Sequence, residues 1–134
     1  MKFDEFRRQW SNTVRKPPSD EEHRIQAACV RWFRMAHPQL APRLFAVPNG
    51  GRRDGITGAR LKEEGVLAGV ADLVLLVPNA KYHALLIEMK TPKGRQSDSQ
   101  RAWQRAVAGN EDYLYVVCRS LEEFMKKIEE YLNN

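Results

Sequence analysis

Apolar residues first take a helical rhythm in "EEHRIQAACVRWFRMAHP", where Ile25, Ala28, Cys29, Trp32 and Ala36 return every three or four positions. The spacing predicts a helix capped by Asp20 or Ser19 and finished before Pro38. The rhythm then changes. "RLFAVPNGGRRDG" predicts a short strand, Leu44 to Val47, opening into a glycine-relieved loop. "TGARLKEEG" predicts one or two helical turns stopped by Gly65. "ADLVLLVP" and "HALLIEMK" predict two strands joined by a turn around Pro78 and Asn79. "SDSQRAWQRAVAGN" predicts a helix opened by a capping box of Ser97 and Gln100 and ended at Gly109 or Asn110. "YLYVVC" is strand-like. "SLEEFMKKIEEYL" predicts a last helix, with Ser120 and Glu123 as a second box and Leu121, Phe124, Ile128 and Leu132 on one face. The order is α-β-(α)-β-β-α-β-α around an apolar sheet, an α/β domain. Residues 1–19 stand apart as an N-terminal extension: "FDEFRRQW" is amphipathic, and the paired prolines of "RKPPSD" interrupt it.

One part of this pattern carries charges where a strand core rarely does. The most strand-like stretch, "GVADLVLLVPNAKYHALLIEMK", carries Asp72 at one end and Glu88 and Lys90 at the other. A carboxylate taken out of water is costly without a partner. Strand side chains alternate, so Glu88 and Lys90 share a face while Ile87 and Met89 take the other. In an antiparallel hairpin turning near residue 80, Asp72 comes to lie beside Glu88 and Lys90. Two carboxylates at that distance repel unless a proton or a cation lies between them. A hard divalent cation such as Mg²⁺ suits oxygen ligands and often takes one or two carboxylates. Lys90 would then hold a phosphate or assist a proton transfer. The competing reading is a lysine–carboxylate pair at a strand end, with Asp72 as a turn residue. Spacing does not distinguish the two.

Composition narrows the classes. A chain of 134 residues with 43% apolar and 29% charged content is long enough for one core and fits an ordinary globular protein. No apolar run approaches the roughly 20 residues of a membrane span. The charged start, "MKFDEFRRQW", lacks the apolar centre of an export signal, so a cytoplasmic location is expected. Cys29 and Cys118 form no CxxC pair and read as reduced, buried thiols, and His23, His37 and His83 have no zinc-site spacing. The net charge of +5 is uneven: residues 1–62 hold 13 Lys or Arg against 6 Asp or Glu, and residues 63–134 hold 9 against 11. A basic half of this kind favours a polyanion such as DNA. "PNGGRRDG" is either a plain turn or a phosphate grip made by the backbone of Asn49, Gly50 and Gly51 with Arg52 and Arg53. Lys93 and Arg95 in "KTPKGR" form a second candidate contact.

Asp72 followed by Glu88-Met89-Lys90 resembles the D-(x)n-E-x-K core of the PD-(D/E)XK nucleases. With "EHRIQ", "PNGG", "LKEEGVLAGVAD", "LLIEMK" and the Q-x-x-W of Gln100 and Trp103, the chain resembles more specifically a stand-alone VRR-NUC domain, from about Glu22 to Cys118. Ala71 stands where the superfamily pattern has proline, a turn-shaping residue and not a ligand. The resemblance implies a restriction-endonuclease-like core with a central mixed sheet, spanning residues 20–134. It implies Asp72 and Glu88 as metal-binding carboxylates, the Met89 carbonyl as a further ligand, and Lys90 as the catalytic lysine. Glu22 is implied as the helix-borne acid of the site, although a favourable charge at a helix N-terminus also accounts for it. Gln100 is implied in the site too, although the capping box alone explains a glutamine there. The implied activity is that of a Mg²⁺- or Mn²⁺-dependent DNA endonuclease leaving a 5′-phosphate, selective for branched DNA such as Holliday junctions or flaps, and working as a homodimer. The alternative is a non-catalytic DNA-binding module on the same fold.

Overall fold

The computed structural model describes residues 20–48 and 55–134. The extension expected at residues 1–19 and the loop residues Asn49, Gly50, Gly51, Arg52 and Arg53 lie outside the described residues. Helix α1 (Asp20–Ala36) is followed by a 3₁₀ turn (Pro38–Arg43), strand β1 (Leu44–Ala46), helix α2 (Gly55–Glu63) and strand β2 (Leu73–Leu75). Strand β3 (Leu85–Met89), helix α3 (Asp98–Ala108), strand β4 (Leu114–Cys118) and helix α4 (Leu121–Leu132) complete the order. The four strands form one mixed sheet in the order β1-β2-β3-β4. The pairs β1–β2 and β2–β3 are antiparallel, and β3–β4 is parallel. The parallel pair arises because α3 returns the chain to the end of the sheet from which β3 started, as a crossover must.

Each element has a local cause. The β2–β3 turn is closed by the Asn79 side chain, whose Oδ1 accepts from the backbone N–H groups of Lys81 and Tyr82 at 2.9 and 2.7 Å. Ser97 opens α3 with a complete capping box. The second expected box is only half made. Ser120 caps α4 by accepting from Glu123 N–H, but the Glu123 carboxylate takes the Arg119 N–H and not that of Ser120. The 3₁₀ turn was not expected; Pro38 ends the α-helix, and Leu40 N–H bonds back to the His37 carbonyl to begin a tighter turn.

The sheet separates two packed layers. On one face Leu73, Leu75, Leu85, Ile87, Met89 and Cys118 meet Cys29 and Phe33 of α1 and Phe124, Ile128 and Tyr131 of α4. Burying each larger side chain of this set contributes about 1.5–3 kcal/mol. The stripe of α1 differs from expectation at its end: Phe33 is fully buried and Ala36 is exposed, because Phe33 lies one turn beyond Cys29 and aims at the same core. On the other face Ala71, Leu86 and Tyr115 pack against Trp103, Val107 and Ala108 of α3. Glu88 belongs by alternation to this second, smaller layer.

Candidate active site

The β2–β3 register pairs Leu73 with Ile87, so one further step sets Asp72 beside Glu88. Asp72 is fixed at both its backbone and its side chain. Its carbonyl accepts from Val47 N–H at 2.9 Å, and its Oδ2 accepts from Met89 N–H at 2.7 Å. Met89 buries its side chain in the main core and so presents only its backbone at this end of the sheet. Lys90 continues the ladder toward β4, its N–H bonded to the Cys118 carbonyl at 3.0 Å. Its Nζ stands 4.0 Å from Glu88 Oε2.

Glu88 is the one buried charged residue among those described, at 1% exposure. Three side chains serve it. Gln100 Nε2 donates to Oε2 at 2.8 Å, Tyr115 OH donates to Oε1 at 3.2 Å, and Lys90 approaches Oε2. Burial, and next the negative charge of Asp72, push its carboxyl up to about 9, against the pull of Lys90 and the Tyr115 hydrogen bond. The same burial, with Glu88 beside it, raises the Tyr115 phenol.

Gln100 caps the helix and also contacts Glu88. Its Oε1 accepts from Ser97 N–H at 2.7 Å, which completes the capping box, and its Nε2 faces Glu88. The cap therefore aims the amide. A close approach elsewhere seats the helix: a Cβ on Gly69 would lie 2.3 Å from the Ser99 carbonyl oxygen. Gly69 also has φ +90°, a conformation that other residues rarely adopt. The turn before Asp72 thus rests directly on the first turn of the helix carrying Gln100.

Glu22 sits half-buried in the first turn of α1, the helix that covers the opposite face of the sheet. Among the described residues no three His, Cys, Asp or Glu side chains gather in one place, so the carboxylates that meet here are Asp72 and Glu88. Lys93 and Arg95 are exposed on the loop after Lys90. That loop is clamped by Arg119, whose Nη1 donates to the carbonyls of Thr91 and Gly94 at 2.8 and 2.5 Å. Arg119, Tyr115, Gln96 and Gln104 were not foreseen. Tyr115 shares a face with Glu88 only through the parallel β3–β4 register, which pairs Leu86 with Tyr115 and Glu88 with Val117.

Two oxygen-bearing groups, one deeply buried and repelled by the other, fit a hard cation such as Mg²⁺ or Mn²⁺ and not a thiolate-seeking metal. No helix among the described residues is long and apolar enough to cross a membrane. A family model for the VRR-NUC domain matches residues 20–122. A solved structure described as a VRR_NUC domain protein superposes with a TM-score of 0.70 at 22% identity, covering 84% of this chain and 88% of that one. That likeness is one of fold. No curated protein matches.

Proposed function

Because the chain belongs to the VRR-NUC family of nuclease-type domains, we propose that it is a Mg²⁺- or Mn²⁺-dependent endonuclease that hydrolyses phosphodiester bonds in branched DNA. The observation that carries this reading is the meeting of Asp72 with a Glu88 that is 1% exposed, with the Lys90 ammonium 4.0 Å away. Asp72, Glu88 and the backbone carbonyl of Met89 would hold the ion. A bound ion of this kind supplies Lewis-acid polarisation of a phosphate oxygen and acidifies water.

The chain's own residues account for the rest. Lys90 places a positive charge where the scissile phosphate must lie to reach the carboxylate pair, and it stabilises charge that develops there. Gln100, itself aimed by the cap of α3, donates to Glu88 Oε2. Glu22 contributes negative potential from the start of α1. Lys93 and Arg95 on the loop after Lys90, and Arg52 and Arg53, neutralise phosphates and add affinity without reading bases. One such centre cuts one strand, so symmetric cleavage of a junction calls for a twofold homodimer.

The substrate preference is tested with end-labelled four-way junctions, flaps, linear duplex and single strands of common sequence, each incubated with Mg²⁺. Junctions or flaps should be cut at least tenfold faster than linear duplex, with 5′-phosphate ends. Equal rates on all four substrates would remove the selectivity for branched DNA.

A further inference from the structure

The two oxygens of Glu88 are held from the same helix by different routes. Gln100 reaches Oε2 directly at 2.8 Å. One turn further along α3, Gln104 Oε1 accepts from Gln96 Nε2 at 3.0 Å, and the same Nε2 donates to Tyr115 OH at 3.2 Å. Tyr115 then donates to Glu88 Oε1, also at 3.2 Å. The directions are set at each step. Gln104 offers an acceptor, which turns the Gln96 amide so that its N–H₂ faces the phenol. The phenol oxygen, receiving that hydrogen, has its own single proton left for Glu88.

The hydroxyl has no role in packing. The Tyr115 ring meets Trp103 at 6.2 Å between centroids, and phenylalanine would fill that space equally well. A buried hydroxyl is a cost unless it has partners; here it accepts from Gln96 and donates to Glu88. Gln100 and Lys90 both act on Oε2, whereas the Tyr115 hydroxyl donates to Oε1. A second donor on the other oxygen fixes the plane of the carboxylate.

We propose that Tyr115, aligned by Gln96 and Gln104, is a positioning residue that orients Glu88 for binding a divalent cation. This rests on the metal-binding reading of Asp72 and Glu88. Outer partners that orient a ligating side chain typically alter metal affinity 10–100-fold when removed.

The test is calorimetric titration of Mn²⁺ into the full protein without DNA, using wild type, Asp72→Asn, Tyr115→Phe, Gln96→Ala and Gln104→Ala, with the thermal midpoint of each recorded. Wild type should bind, Asp72→Asn should not, and Tyr115→Phe should bind roughly 10–100-fold more weakly. Gln96→Ala should weaken binding in the same direction while leaving Tyr115 in place, which covers the case in which Tyr115→Phe folds poorly. Adding Gln104→Ala to Tyr115→Phe should cause no further loss, since both act through one chain of bonds. Wild-type affinity in both Tyr115→Phe and Gln96→Ala, with Asp72→Asn still abolishing binding, would overturn the positioning role and leave the metal site standing. No Mn²⁺ binding by wild type would overturn the metal site itself, and the positioning role with it.

Discussion

Glu88→Gln should make the metal-free protein more stable at neutral pH, although it removes a carboxylate from the proposed active centre. The Glu88 carboxyl, at 1% exposure and beside Asp72, is pushed from its ordinary 4.5 up to about 9. Between those values the folded chain holds a proton that the unfolded chain has released. Stability is therefore fully present below about pH 4.5 and falls as pH rises toward 9, by up to about 1.4 kcal/mol per pH unit. From pH 4.5 to 7.5 the penalty reaches about 4 kcal/mol at most. Glutamine has nearly the same shape and no charge, and so escapes this penalty. It keeps one carbonyl oxygen for the donors Gln100 and Tyr115, and leaving the other donor without a partner costs about 1–3 kcal/mol. The balance is a gain of about 1–3 kcal/mol at pH 7.5 that disappears or reverses near pH 5. Urea unfolding of wild type and Glu88→Gln in EDTA, from pH 5 to 8, measures the difference and cancels the titration of other groups. Excess Mg²⁺ should cancel or reverse the difference at pH 7.5, since a ligand at a hundred times its dissociation constant stabilises by about 2.7 kcal/mol and the variant binds poorly. A variant less stable than wild type by the same amount at every pH would refute the argument.

Other expectations follow from single contacts. Lys90→Ala should keep Mn²⁺ and DNA binding while slowing single-turnover cleavage roughly a hundredfold; near wild-type rates would remove Lys90 from the chemistry. Lys90→Arg should not restore the rate, because guanidinium is larger and does not give up its proton. Gly69→Ala should cost roughly 2–4 kcal/mol, from positive φ and a clash with backbone that cannot easily yield, and should slow cleavage by displacing Gln100. A thermal midpoint unchanged by this substitution would contradict the close approach of Gly69 to Ser99. Light scattering at micromolar concentration should give the mass of a dimer, and a monomer that still cuts both strands of a junction symmetrically would exclude the assembly.

The site's geometry was legible in the sequence where local chemistry determines it. Asp72 and Glu88 could be set side by side because strand alternation and a turn near Asn79 leave a single register, which β2 and β3 adopt. The Ser97–Gln100 box was equally readable, since both partners lie within one helical turn. Its second use was implied by the family resemblance and not by spacing: the amide of Gln100 has two ends, and the packing of α3 shows where the nitrogen points. The role of Tyr115 is not legible in the sequence for a related reason. The residue looks like any strand aromatic until the parallel crossover pairs it with Leu86, a non-local fact that no spacing encodes. The half-made box at Ser120 shows the opposite failure, a correct motif whose glutamate finds the neighbouring Arg119 N–H instead.

The central claim is that Asp72 and Glu88 hold a cation on which DNA cleavage depends. It is tested most directly by incubating a labelled four-way junction with wild type and Asp72→Asn, each in EDTA, in Mg²⁺ and in Mn²⁺. Cleavage should occur only with wild type and only with a divalent ion, and restoring Mg²⁺ after EDTA should restore it. Cleavage by wild type in EDTA, or by Asp72→Asn at the wild-type rate in Mg²⁺, would contradict the account.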